Sequence, residues 1–119
     1  MARHNDFGKW GEEIAAGWLA GKGFIILHRN WRHGRSEIDI IATRQGVYHF
    51  IEIKCSQGKG YGHPEERVSK PKLRNIMRAA SHWLYLHHIP ATTRIQFDVL
   101  AISFKTGTPE YFLIEDISL

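Results

Sequence analysis

Two short apolar stretches carry charged residues at strand spacing. Ser36–Thr43 holds Glu37 and Asp39, and Val47–Lys54 holds Glu52 and Lys54. Both stretches are rich in Ile, Val, Tyr and Phe and read as strands. Side chains alternate faces along a strand, so each charged pair, two apart, shares a face. Gln45-Gly46 lies between them and fits a two-residue hairpin turn. With Arg44 facing Val47, Asp39 falls opposite Glu52, and Glu37 opposite Lys54. Directly opposed β-carbons lie about 4.5–5.5 Å apart. Two carboxylates that close, among Ile38, Ile40, Ile51 and Ile53, repel until one takes up a proton or a cation sits between them. Hard oxygen ligands favour Mg²⁺ or Mn²⁺. Lys54, on the same face, would then position an attacking water and neutralise charge building on a phosphorus centre. The plain alternative is a solvated strand face with Glu37–Lys54 as a cross-strand ion pair.

The surrounding elements follow from periodicity. Phe7, Trp10, Ile14 and Trp18 recur at three- and four-residue spacing and predict a helix over Phe7–Lys22, started by Asn5 or Asp6 and ended by Gly21 or Gly23. Phe24–Trp31 reads as a strand with Ile25 and Leu27 on one face. A long helix is expected over Ser69–His88, with Leu73, Ile76, Ala80, Trp83 and His87 as its inward positions, ended by Ile89-Pro90. Two last strands, Arg94–Phe104 and Tyr111–Ile117, flank the turn Thr106-Gly107-Thr108-Pro109. The long helix serves as a crossover to a parallel fourth strand. The expected fold is α/β: one domain spanning 1–119, with a central mixed five-stranded sheet flanked by helices.

Composition narrows the function classes. The chain has 119 residues, a net charge of +4 and a pI near 9.4, which permits a polyanionic partner without requiring one. No apolar run approaches the roughly 18 residues needed to cross a bilayer, and the N-terminus lacks the apolar stretch of a secretory signal. Cys55 is the single cysteine, so no internal disulfide forms. The expectation is a cytoplasmic, soluble, reduced protein with no membrane role. A structural zinc site is not expected: there is no Cys pair and no HExxH, and His28/His33 and His82/His87 are each five apart.

Asp39 with Glu52-Ile53-Lys54 resembles the D–ExK signature of the PD-(D/E)XK nuclease superfamily. Gly8-Lys9-Trp10-Gly11-Glu12-Glu13-Ile14-Ala15 looks like the GxxGExxA opening of the bacterial YraN-like group. Asn30-Trp31-Arg32, Glu37-Ile38-Asp39-Ile40-Ile41-Ala42, Phe50-Ile51-Glu52-Ile53-Lys54 and Arg94-Ile95-Gln96-Phe97-Asp98-Val99 look like that group's NWR, EIDLIA, FVEVK and RFDVV segments. The resemblance covers nearly the whole chain. It implies a restriction-endonuclease-like fold, similar to that of archaeal Holliday-junction resolvases. It also implies Mg²⁺- or Mn²⁺-dependent cutting of nucleic acid, most simply DNA. On it, Asp39, Glu52 and the Ile53 carbonyl match the metal ligands, Lys54 the catalytic lysine, and Glu12 an acid that some members place near the metal. The chain departs from the pattern at Ile38, where the superfamily's name puts Pro, and at Ser36, where Gly is usual. Ser69-Lys70-Pro71-Lys72 fits the group's TPxK helix start loosely, with Lys72 as the matching lysine. On a helical wheel Glu12 and Glu13 flank opposite edges of the apolar stripe, so periodicity does not choose between them.

Basic residues offer a route for a phosphate backbone. Arg29, Arg32 and Arg35 precede the hairpin. Lys70, Arg74 and Arg78 recur every fourth residue beside the apolar stripe of the long helix, with Arg67 in the same phase. Arg35, Arg67, Lys70, Lys72, Arg74 and Arg78 are the candidate nucleic-acid contacts, giving salt-dependent, sequence-tolerant binding. The Gly-rich Gln57–Gly62 is a loop able to cover a substrate strand. Asp98 reads as a hydrogen-bond acceptor at a sheet edge. The four tryptophans read as core, and Cys55 as a small apolar residue facing away from Lys54. Two rival readings stand beside the nuclease: a non-catalytic nucleic-acid-binding module on the same fold, and a protein-interaction domain with a structural ion cluster. Pairing of two copies is compatible with the resemblance, and no seam for it is visible in the sequence.

Overall fold

The computed structural model describes residues 2–56, 69–105 and 107–117, with side chains from Gly8 onward. The element order is α1 (Ala2–Gly21), β1 (Ile25–His33), β2 (Ser36–Arg44), β3 (Val47–Ser56), α2 (Lys70–Leu86), β4 (Ile95–Ser103) and β5 (Glu110–Ile114). The five strands form one sheet in sequence order, β1-β2-β3-β4-β5. The β3–β4 pair is parallel and the other three pairs are antiparallel. The sheet is therefore mixed, and α2 lies in the crossover that joins its parallel pair.

Each helix covers one face of the sheet. Ala15 and Leu19 of α1 pack with Phe24, Ile40, Ala42, Ile51, Leu100 and Ile102. Ile76, Ala79, Ala80 and Trp83 of α2 pack with Ile38, Ile41 and Phe50 on the other side. Phe50 and Ile51, neighbours on β3, thus face different helices, as the strand's two-residue period requires.

Local chemistry explains the element ends. Gln45 and Gly46 both take positive φ, 54° and 80°, which is the backbone of a tight hairpin turn matched to strand twist. Ser69 caps α2 by accepting from the Lys72 amide at 3.2 Å, and Pro71 occupies the first turn, where a missing N–H costs nothing. The helix stops at Leu86, short of the expected His88. His87 is not inward: it is the exposed C-cap, its ring stacked 4.1 Å from Trp83. β5 ends at Ile114 rather than Ile117, because Asp116 turns back with φ 61° and donates its amide to Asp98. On β1, Ile26 packs inward while Ile25 and Leu27 are exposed at the sheet edge, and the register shifts between Ile26 and His28. Of the tryptophans, Trp83 is buried, Trp18 and Trp31 are half-buried, and Trp10 is 47% exposed on the ring of Phe104. No helix among the described residues is long and apolar enough to cross a membrane.

Candidate active site

The β2–β3 hairpin has the register set by its turn: Arg44 pairs Val47, and pairing continues inward to Ile40↔Ile51. There it stops. Asp39 and Glu52, and Glu37 and Lys54, are next in line but are not ladder partners, because the strands part at this point. The Asp39 carboxylate fills the gap and accepts from the Ile53 amide at 2.8 Å. Glu37 turns to the other neighbour, β1, and its partner is Arg32 at 3.7 Å rather than Lys54. The splayed strands and the first turns of α2 enclose an open cleft of about 450 Å³ whose wall includes Arg35, Glu37, Asp39, Glu52, Lys72 and Asn75.

Glu52 is the centre of this cleft. It is 8% exposed, and its Oε2 lies 2.7 Å from Lys72 Nζ and 3.4 Å from Lys54 Nζ. Two ammonium groups from different elements therefore share one carboxylate. Burial pushes the Asp39 carboxyl up to about 7, the charge of Glu52 adds to this, and the Ile53 amide only partly opposes it. Glu37 and Glu12 contribute smaller upward pushes. For Lys72, burial alone would lower the ammonium pKa. The hydrogen bond and charge of Glu52 outweigh it and hold Lys72 above the usual lysine value.

The α1 helix brings Glu12 toward this centre through Gly11. A β-carbon built on Gly11 would lie 2.6 Å from Cys55 Sγ, so the glycine is what lets α1 approach β3 this closely. Cys55 indeed faces α1, away from Lys54, and packs on the α1-side core. Its thiol is pushed up by burial first and by the charges of Asp39 and Glu12, which makes it a poor nucleophile. Glu12 accepts from Asn30 Nδ2 at 3.1 Å, while Glu13 binds Arg29 on the exposed side at 3.3 Å. The structure thus separates the two acids that the helical wheel left equivalent.

The basic residues divide. Arg35 lines the cleft and Lys72 is inside it, whereas Lys70, Arg74 and Arg78 are exposed along α2 outside its lining. Arg78 donates to Asn75 Oδ1 at 2.8 Å, which ties the stripe back to the cleft wall. Arg67 and Gln57–Gly62 lie outside the described residues.

A second polar cluster had no strong sequence signal. His49 Nδ1 and Asp98 Oδ2 lie 2.6 Å apart, with the two side chains 2% and 0% exposed. Asp98 stands in β4, an interior strand and not an edge, and also takes the Asp116 amide at 2.9 Å and Gln96 Nε2 at 3.3 Å. Glu115 brings an oxygen to the group, all ligand atoms lying within 4.8 Å, and is itself bound by Arg44 at 3.0 Å. These mutual pairings account for a buried polar knot that fastens the chain after β5 to β3 and β4. An Asp inside an otherwise apolar strand was its one sequence clue.

The chain is similar to bacterial proteins along nearly its full length. It is 39% identical to a UPF0102 protein of Phocaeicola vulgatus over 98% of this chain and 93% of that protein. Identity is 41% to a UPF0102 protein of Clavibacter michiganensis, over 90% of each chain. It is 40% to one of Chlorobium phaeobacteroides, over 96% of this chain and 92% of the relative. The profile described as "Uncharacterised protein family UPF0102", the YraN-like group, matches residues 11–102, which include both acids and both lysines of the cleft. The chain belongs to the UPF0102 family.

Proposed function

We propose that this chain is a metal-dependent nuclease of the PD-(D/E)XK type, with a restriction-endonuclease-like fold, that hydrolyses phosphodiester bonds in nucleic acid, most simply DNA. One observation carries the reading. Two carboxylates, Asp39 and Glu52, converge in an open cleft beside two lysines, in surroundings that push the Asp39 carboxyl up to about 7. Crowded negative charge of this kind is relieved by a hard cation, and the donor set is all oxygen. Asp39 and Glu52 are the residues to hold Mg²⁺ or Mn²⁺, with the Ile53 carbonyl as the third ligand. When bound, such an ion supplies Lewis-acid polarisation of a phosphate and a water of lowered pKa.

The remaining roles belong to the chain itself. Lys54 is fixed on an interior strand and reaches the same carboxylate, so it orients the attacking water or meets charge developing on phosphorus. Glu12, held by Asn30, adds negative potential at the α1 side. Arg35 at the cleft, with Lys70, Arg74 and Arg78 along α2, gives a phosphate backbone a basic path.

The test is incubation of branched, duplex and single-stranded DNA, and of RNA, with Mg²⁺ or Mn²⁺. The expected result is cutting that needs the metal and falls on the order of a hundredfold or more in Lys54→Ala. Absence of metal-dependent cutting of every substrate, or equal cutting by Lys54→Ala, rejects catalysis. Salt-sensitive DNA binding without metal uptake would identify the chain as a binding module instead.

A further inference from the structure

We propose that Lys72 is an exchangeable counter-ion for the divalent cation: its ammonium holds Glu52 in the metal-free protein, leaves when the metal arrives, and then serves the substrate phosphate. This rests on the metal-site reading above.

The geometry distinguishes Lys72 from Lys54. Both address Glu52 Oε2, but Lys72 is nearer, 2.7 Å against 3.4 Å, and its side chain is more open, 44% exposed against 26%. Lys54 belongs to β3, which is bonded into the sheet beside β4 at Ala101. Lys72 sits in the first turn of α2, in the wall of the cleft, its backbone held by the Ser69 cap. It can swing outward without moving the helix.

Charge crowding supplies the driving force. Glu52 Oε2 already carries two ammonium partners, Lys54 and Lys72. A doubly charged ion on Asp39 and Glu52 would leave an ammonium pressed against a metal at one shared oxygen. Like charges at that range repel strongly in a partly buried site. The side chain free to leave is Lys72. Released, it remains in the wall that also holds Arg35 and Asn75, where an incoming phosphate would meet it. Metal loading thereby makes a cation available to substrate, so the two binding events assist each other.

The experiment is Mn²⁺ titration of the metal-free protein by calorimetry, with melting followed in parallel. Wild type, Lys72→Met, Lys72→Arg and Asp39→Asn are compared. Removing a competitor that occupies the site most of the time is expected to tighten Mn²⁺ binding about three- to tenfold in Lys72→Met, with a larger melting-temperature rise on Mn²⁺ addition. Lys72→Arg, which keeps the charge, is expected to bind no more tightly than wild type. In wild type, the ε-methylene resonance of Lys72 should move on Mg²⁺ addition more than that of Lys54. Equal or weaker Mn²⁺ binding by Lys72→Met, with binding lost in Asp39→Asn, overturns the exchange while leaving the metal site standing. No Mn²⁺ uptake by wild type or Lys72→Met overturns both.

Discussion

The Ile53 amide donates to Asp39 Oδ2 at 2.8 Å, just beyond Ile40↔Ile51, the last paired residues of β2 and β3. A side-chain oxygen thus replaces a ladder carbonyl, and the strands open without orphaning a buried N–H. That substitution creates the cleft and commits Asp39 to a half-buried position beside Glu52. The folded-state carboxyl, near 7, lies above the value of about 4 in an unfolded chain. The folded protein therefore binds this proton more tightly. Its contribution favours folding at low pH and is lost as pH rises from about 4 through about 7. Asp39→Asn keeps an acceptor and removes the charge. In chelator it should match wild type at or below about pH 4 and exceed it by roughly 1–4 kcal/mol at pH 8, read by urea denaturation. Asp39→Ala, which abandons the Ile53 amide, should be less stable than Asp39→Asn by about 1–3 kcal/mol at every pH. An Asp39→Asn advantage that does not grow with pH contradicts this account.

On the proposed metal site, the same carboxyl would link metal uptake to protons. A cation can bind only the ionised form, so loading must displace whatever proton Asp39 carries. Calorimetry in buffers of different ionisation enthalpy should report about half a proton released per Mn²⁺ at pH 7, and close to none at about pH 8.5. Equal release at both values would place the bound ion away from Asp39.

Periodicity made the layers readable but not the meetings between them. The Gln45-Gly46 turn and the alternation of the flanking strands carry the hairpin register, and the three- and four-residue spacing of Leu73, Ile76, Ala80 and Trp83 carries the covering face of α2. The helix after the third strand implied the parallel β3–β4 pair. A strand pattern, however, says which side a residue faces, not where pairing ends. The parting at Asp39 and the turn of Glu37 toward Arg32 were therefore invisible. Lys72 reads from the sequence as the lysine of a loose TPxK match and a nucleic-acid contact; its pairing with Glu52 is not legible there, because it depends on how α2 sits over the sheet. His49 and Asp98 join residues 49 apart, a distance no local pattern spans.

The α1–β3 approach can be tested through Gly11 and Cys55. In a helix interior Gly→Ala gains up to about 1 kcal/mol from backbone entropy. Here the added methyl would meet Cys55 Sγ at 2.6 Å, and overpacking of that kind costs about 1–3 kcal/mol. Gly11→Ala should therefore lower stability. In a Cys55→Ala background the sulfur is gone and the nearest remaining atom, Cβ, is 3.9 Å away, an ordinary contact. There the same substitution should stabilise. Thermal denaturation of the four proteins gives the cycle, and a loss of equal size in both backgrounds would refute the close approach.

The proposed nucleic-acid binding through the α2 edge predicts a salt signature. Lys70→Gln, Arg74→Gln and Arg78→Gln each remove one exposed cation outside the cleft. Each is expected to weaken binding to duplex DNA of any sequence, and to reduce the slope of log affinity against log salt by about 0.9 per lost contact. Mn²⁺ affinity should be untouched. Unchanged slopes in all three would move the nucleic-acid path off this helix edge.

The two acidic clusters can be told apart by what their loss disturbs. His49 and Asp98 are both fully buried and satisfy each other at 2.6 Å, with the Asp116 amide bound to the same carboxylate. Asp98→Ala strands the imidazole in the core, takes the acceptor from that half-buried amide, and should cost about 3–5 kcal/mol, by the rule for breaking a buried pair. Asp98→Asn retains an acceptor and should cost less. A cation at this cluster would have to part the His49–Asp98 pair and approach beside Arg44, which already binds Glu115 at 3.0 Å. Asp98→Asn should therefore leave Mn²⁺ binding as in wild type, while Asp39→Asn abolishes it. The opposite ranking in one calorimetric series would transfer the proposed metal site from the cleft to the His49–Asp98 knot, and the roles argued for Lys54 and Lys72 would go with it.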